Sequence, residues 1–207
     1  MMRDLMTLLW EPPAPPRRGP RPTLALATIT RAGIAVADAD GLSGVTMQRV
    51  AEAVGVTKMA LYRYVPGKTE LVALMLDSAI GVPPDPGTGA SWRETLDAWA
   101  RGLHAGFCAH PWALEAAVGA RVAGPNELTW LEHAVAALTG TGLDGSEMLD
   151  VAVLLTGHVR NLAQQVTAMP STSAPERAMN SSLHLVLAGR EDRVPAVTAA
   201  MASAQAK

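Results

Sequence analysis

Proline and glycine interrupt this chain in two places, and the interruptions limit what the rest can become. Glu11 to Pro22 reads EPPAPPRRGPRP, and Gly81 to Gly89 reads GVPPDPGTG. Proline fixes φ and removes a backbone donor, so neither run suits a helix or strand interior. Between them lie about 60 residues without the alternation of a half-buried strand. Beyond the second break, Ala, Leu, Val and Met dominate, with Gly and Pro at turns and no β-hairpin signature. The chain reads as all-α.

The first segment resolves into four helices. Over residues 23–38, Leu26, Ile29, Gly33 and Val36 recur every three or four positions, and Gly41 stops the helix. Thr46 is a natural N-cap for a short helix with the stripe Met47, Val50, Ala51 and Val54. Gly55 breaks it after two turns. Thr57 can cap a third helix running to about Tyr64, where Pro66-Gly67 ends it. A fourth, from about Lys68 to Ile80, turns Leu71, Leu74 and Met75 inward.

Two short helices joined by a tight glycine-containing turn form a helix-turn-helix. Ala51 must be small where the second helix crosses, and Gly55 supplies the φ > 0 that a side chain would resist. Val50, Val54, Val56 and Leu61 make the wedge between the helices. Lys58, Met59, Tyr62 and Arg63 then face outward, on a helix of a width that fits the major groove. An ordinary αα-hairpin with solvated polar residues has the same spacing.

The net charge of −2 is unevenly spread. Residues 17–70 hold eight basic and four acidic side chains, a balance of +4, whereas residues 71–207 stand at −5. A polyanion-facing front and an acidic remainder fit that asymmetry. With 49% hydrophobic and 17% charged residues, the chain is expected to be ordered. No apolar run approaches the roughly 18–20 residues of a membrane span. The opening MMRDLMTLLWEPP lacks the long apolar core of a signal peptide, so a cytoplasmic protein is expected. A single cysteine, Cys108, leaves no intramolecular disulfide and no cysteine-cluster metal site.

Residues 17–80 resemble the DNA-binding domain of the TetR (tetracycline repressor) family of regulators. The resemblance is carried by the arm RRGPRP, the DADG that ends the first helix, the run TMQRVAEAVGVTKMALYRYVPGKTELV, and the MLD after it. It implies an N-terminal three-helix helix-turn-helix domain, joined by a bridging helix to a C-terminal helical ligand-binding and dimerisation domain. The boundaries expected are a flexible basic arm over 1–21, a DNA-binding domain over 22–82 with its helix-turn-helix at about 46–65, and an effector and dimerisation domain over 91–207. The partners implied are double-stranded operator DNA, a second copy of the chain and a small-molecule effector, with no cofactor and no membrane. Such a protein is usually a repressor that the effector releases from DNA.

By the same resemblance, Thr57, Lys58, Met59 and Ala60 open the recognition helix, Arg63 and Tyr64 follow one to two turns later, and Gln48 starts the preceding helix. These positions face bases or the adjoining backbone. Thr46, Tyr62 and Lys68 match positions that hold phosphates. Arg17, Arg18 and Arg21 resemble a tail entering the minor groove, although a solubilising tail reads identically. Leu61 and Val65 are expected in the core.

Residues 91–207 read as helices at roughly 91–109, 111–122, 126–139, 145–168, 173–188 and 193–204. In the first, Leu96, Trp99, Leu103 and Phe107 define one apolar face. Trp99, Leu103, Phe107 and Trp112 are candidate walls of an effector cavity, with His158 or Asn161 orienting the ligand. Core packing accounts for the same stripe. Catalysis finds little support: Cys108 and His110 diverge on a helix, the histidines lack metal-ligand spacing, and no Ser/His/Asp grouping carries a motif. A helical protein-interaction module that no longer binds DNA is the second alternative.

Overall fold

The computed structural model describes residues 4–11, 24–85 and 87–168, and these are helical, with no strand among them. Among the described residues nine helices run in order: α1 (Leu5–Trp10), α2 (Leu26–Gly44), α3 (Met47–Ala53), α4 (Lys58–Leu61), α5 (Lys68–Ile80), α6 (Trp92–Ala109), α7 (Trp112–Ala116), α8 (Pro125–Ala137) and α9 (Gly145–Ala168). The helices expected at 173–188 and 193–204 lie outside the described residues, as do Arg17, Arg18 and Arg21.

Helices α2 to α5 form the head. Ile29, Val45, Val50, Leu61, Val65, Leu71 and Met75 are fully buried there, so the four helices share one apolar centre. The two residues expected in the core, Leu61 and Val65, are in it. Val54 and Val56 are only half-buried, so the wedge rests on Val50, Ala51 and Leu61. Gly41, at φ +71°, breaks the helical run as expected, and one further turn follows it to Gly44. Arg49 braces that turn, paired with the Asp40 carboxylate and donating from Nη1 to the Gly44 carbonyl at 3.2 Å.

Helices α6, α8 and α9 pack on one another and make the body. Ser91 and Glu94 cap α6 reciprocally, and Pro125 opens α8, where its missing N–H costs nothing. The helix expected over 111–122 is cut to Trp112–Ala116, because the backbone leaves helical geometry before Gly119, which sits at φ +88°. The bridge between head and body is α5, which touches α6, α7 and α8, while α7 also rests on α2.

One expectation fails at the N-terminus. The stretch 1–21 is not arm throughout: Leu5–Trp10 is a helix that packs on α5 with Leu8 and Leu9 buried. Leu5, Leu8 and Leu9 do stand at helical spacing, but over too few residues to outweigh the prolines that follow.

Candidate nucleic-acid interface

The turn between α3 and α4 is set by local chemistry. Val54 ends α3, Gly55 takes φ +73°, and the amides of Gly55 and Val56 return to the carbonyls of Glu52 and Ala51 at 3.1 and 2.9 Å. This paired closure satisfies carbonyls that α3 would otherwise leave bare. Thr46 Oγ1 accepts the Arg49 amide at 3.1 Å, and Thr57 Oγ1 accepts the Ala60 amide at 3.2 Å. Both hydroxyls therefore hold helix starts while keeping a hydrogen to donate outward.

Helix α4 is α-helical only to Leu61; Arg63 and Tyr64 continue it in tighter turns, their amides reaching Ala60 and Leu61 carbonyls at 3.2 and 2.9 Å. Its outer face is what the sequence suggested. Thr57, Lys58, Met59, Tyr62 and Arg63 are exposed, and Met59 stands 75% exposed on a helix otherwise anchored by buried Leu61. The Lys58 ammonium lies 5.9 Å from the Tyr62 ring centre, so the two side chains lean together. Ala60 and Tyr64 are half-buried and offer little beyond their edges.

Two assigned donors are partly engaged. Gln48 Nε2 donates to Glu52 Oε1 at 2.6 Å along α3. Lys68 Nζ donates to the Leu42 carbonyl at 3.0 Å, which ties the start of α5 to the end of α2. Lys68 thus helps to build the head, and only its remaining N–H groups can face a phosphate.

The candidate effector residues divide. Trp99, Leu103 and Phe107 line up buried on α6, with Trp99 Nε1 donating to the Trp130 carbonyl at 2.7 Å and the two indoles edge to face at 5.8 Å. Trp112 is buried as well but bonds elsewhere. Its Nε1 donates to Asp38 Oδ1 at 2.7 Å, and His110 Nδ1 lies 2.7 Å from the same oxygen, so both residues of the α6–α7 corner hold the head. Asn161 is exposed and accepts from Gln165 Nε2 at 2.7 Å, because the inward face of α9 belongs to Ala152, Leu155, Val159, Leu162 and Ala163. His158 flanks that face, its Nε2 shielded from solvent and without a hydrogen-bond partner, and Arg160 Nε is in the same condition on the other flank.

Three residues escaped the sequence reading. His104 is buried on α6, in line with Ala100 and Phe107, and the i, i+4 spacing to Cys108 was the available signal. Their side chains approach to 3.7 Å, but burial pushes the imidazole pKa down and the thiol pKa up, which favours two neutral groups over a reactive thiolate. Asp77 and Asn126 meet between α5 and α8, 49 residues apart, with no local pattern to announce them. Among the described residues no cluster of His, Cys, Asp or Glu could hold a metal ion.

Residues 29–75 match the model of bacterial regulatory proteins of the tetR family, and residues 83–206 match that of the tetracyclin repressor-like C-terminal domain. The chain belongs to the TetR family. Among TetR-family relatives, an HTH-type transcriptional repressor of Streptomyces coeruleorubidus, DrrR1, is 38% identical over 162 residues. That match takes in 77% of this chain and 60% of the relative, so the chain spans less than two thirds of that protein's length. The fold is shared with the TetR-family protein ActR of Streptomyces coelicolor, solved with actinorhodin (TM-score 0.69, 21% identity, 80% of this chain and 94% of that one). It is shared too with BioQ, solved with its double-stranded DNA operator (TM-score 0.62, 19% identity, 80% and 97% covered). No helix of the described residues is long and apolar enough to cross a membrane.

Proposed function

We propose that this protein is a sequence-specific, DNA-binding transcriptional repressor that a small molecule releases from its operator. The observation that carries the reading is α4, a short helix pinned by Leu61 and capped by Thr57, with Lys58, Met59, Tyr62 and Arg63 exposed on its outer face. In the major groove Lys58 would read a guanine edge, and Met59 would lie against a thymine methyl. Thr46, Tyr62 and the unengaged hydrogens of Lys68 would meet phosphates, and Gln48, Arg63 and Tyr64 the adjoining bases or backbone. The DNA complex of BioQ and the repressor name of DrrR1 support the assignment.

The working unit of this proposal is a homodimer. Leu149, Val153 and Leu154 stand exposed on α9, Leu154 at 67%, an apolar strip suited to a second copy. A two-fold dimer would set its recognition helices about 34–36 Å apart, on successive major grooves. The effector would lie against Trp99, Leu103 and Phe107 with His158 Nε2 as its polar anchor, since a shielded ring nitrogen without a partner is costly unless something pairs with it. Trp112 and Asn161 are left out of that site for the reasons given above. No chemical turnover is part of the proposal, and the protein acts where DNA is, in the cytoplasm.

Gel retardation with the DNA flanking its own gene tests the reading. A retarded complex that weakens steeply with salt is expected, because each phosphate contact releases counterions. A salt-insensitive complex, or a footprint without two-fold symmetry, overturns it.

A further inference from the structure

Helix α8 begins at Gly124, which has no side chain to accept the first free amides of the helix. The acceptor comes from another helix. Asp77, in the last turn of α5, takes the amides of Asn126 and Glu127 on Oδ1 at 2.9 and 3.2 Å. The favour is returned: Asn126 Nδ2 donates to the Asp77 carbonyl at 2.9 Å, one of the carbonyls that the end of α5 leaves unsatisfied. Trp130 Nε1 adds a bond to the Gly81 carbonyl, just beyond α5, at 2.9 Å.

The fit leaves no slack. A Cβ at Gly124 would stand 2.2 Å from Asp77 Oδ1, so the turn is open to the carboxylate only because residue 124 is glycine. Arg121 grips both oxygens of Glu127, whose Oε1 accepts the Gly124 amide at 3.2 Å, and this holds the turn in shape. Asp77 is buried, and burial, aided by the nearby Glu127 charge, pushes its carboxyl pKa up against the pull of the two amides. Sliding α8 along α5 by one residue, about 1.5 Å, would break the cap in both directions and strand a buried carboxylate.

We propose that this reciprocal cap is the joint locking the bridging helix to the body, with Asp77 as its positioning residue, so that DNA occupancy of the head and the state of α8 are linked through it. The proposal rests on the reading of the head as a DNA-binding unit. Linkage is mutual, so DNA itself can serve as the probe and no effector is needed.

The test uses the whole chain and a duplex selected by the wild-type protein from a randomised library, at concentrations that saturate each variant. Hydrogen exchange is followed with and without DNA. In the wild type, DNA slows exchange at the Asn126 and Glu127 amides about fivefold or more, the lower edge of ordinary coupling. Asp77→Ala removes that difference while α9 stays protected, and Asp77→Asn, which keeps an Oδ1 acceptor, restores it. Asn126→Ala covers the case in which Asp77→Ala fails to fold; it deletes only the return bond and should at least halve the response. A wild-type complex with unchanged exchange at these amides overturns the joint alone, as does an undiminished response in Asp77→Ala or Asn126→Ala. If the wild type selects no duplex, the DNA-binding reading falls and the joint falls with it.

Discussion

In the head, polar side chains at helix starts look outward: Thr46 and Thr57 each accept one amide and keep a hydroxyl hydrogen, and Lys58 and Arg63 are exposed. In the body the polar groups turn inward or across the seam. Trp99 and Trp130 spend their indole N–H groups on buried carbonyls, Trp112 spends its own on the head, and His158 Nε2 is shielded with no partner. The head therefore displays its donors from capped helix starts, while the body is a packed interior in which His158 Nε2 and Arg160 Nε are shielded without a partner. Donors already held in place keep the ordering cost of binding low, and a shielded polar atom is costly until something pairs with it.

The sharpest way to break this contrast is to soften the display. Leu61→Ala removes the anchor under α4 and should lower stability by about 2–5 kcal/mol, read as a shift in the urea midpoint, with operator binding lost in step. If stability held, α4 would be supported from elsewhere. Next comes Lys58→Ala, expected to cost about 1–3 kcal/mol of discrimination at one or two base pairs in a randomised site library. Uniform weakening across all sequences would instead assign Lys58 to the backbone.

On the body side the effects should be smaller. His158→Ala should weaken effector binding by about 0.5–1.5 kcal/mol and leave effector-free operator affinity nearly unchanged. Tryptophan fluorescence titrated with a panel of apolar compounds, beside operator release, reads both. Compounds that quench the indoles without altering DNA affinity would make the α6 stripe plain core. The smallest effect concerns pH. Burial raises the Asp77 carboxyl above its ordinary value in the folded protein, so this group favours folding most at acid pH and loses that contribution as pH rises through the folded pKa. Asp77→Asn should therefore gain on the wild type as pH climbs from the ordinary carboxylate range to neutrality, measured by urea melts. A constant difference would mean that the carboxyl titrates normally.

What the sequence disclosed follows the range of the forces involved. The head is governed by signals a few residues apart: Thr46 and Thr57 as caps, Gly55 at positive φ, and the stripe through Val50 and Leu61. These are visible in a linear text, and the outward face of α4 follows from them. The seam is governed by pairs that meet only after folding, Asp38 with Trp112 across 74 positions and Asp77 with Asn126 across 49. Nothing near Trp112 in the sequence distinguishes an indole that braces the head from one that walls a cavity. Asn161 is a related case. Polar residues cluster after an apolar run in α9, but which side faces inward is decided by α6 and α8.

Asp38, His110 and Trp112 carry a consequence for anyone who would rebuild this regulator from parts. A chimera joined within α5 would pass the helix intact yet separate Asp38 from the indole and imidazole that hold it. A foreign head lacking an acceptor at that corner would cost the indole its bond to Asp38, a loss of about 0.5–1.5 kcal/mol. Such a hybrid would keep the exposed face of its α4 and still lose this tie between head and body, unless the corner residues were exchanged together with the head.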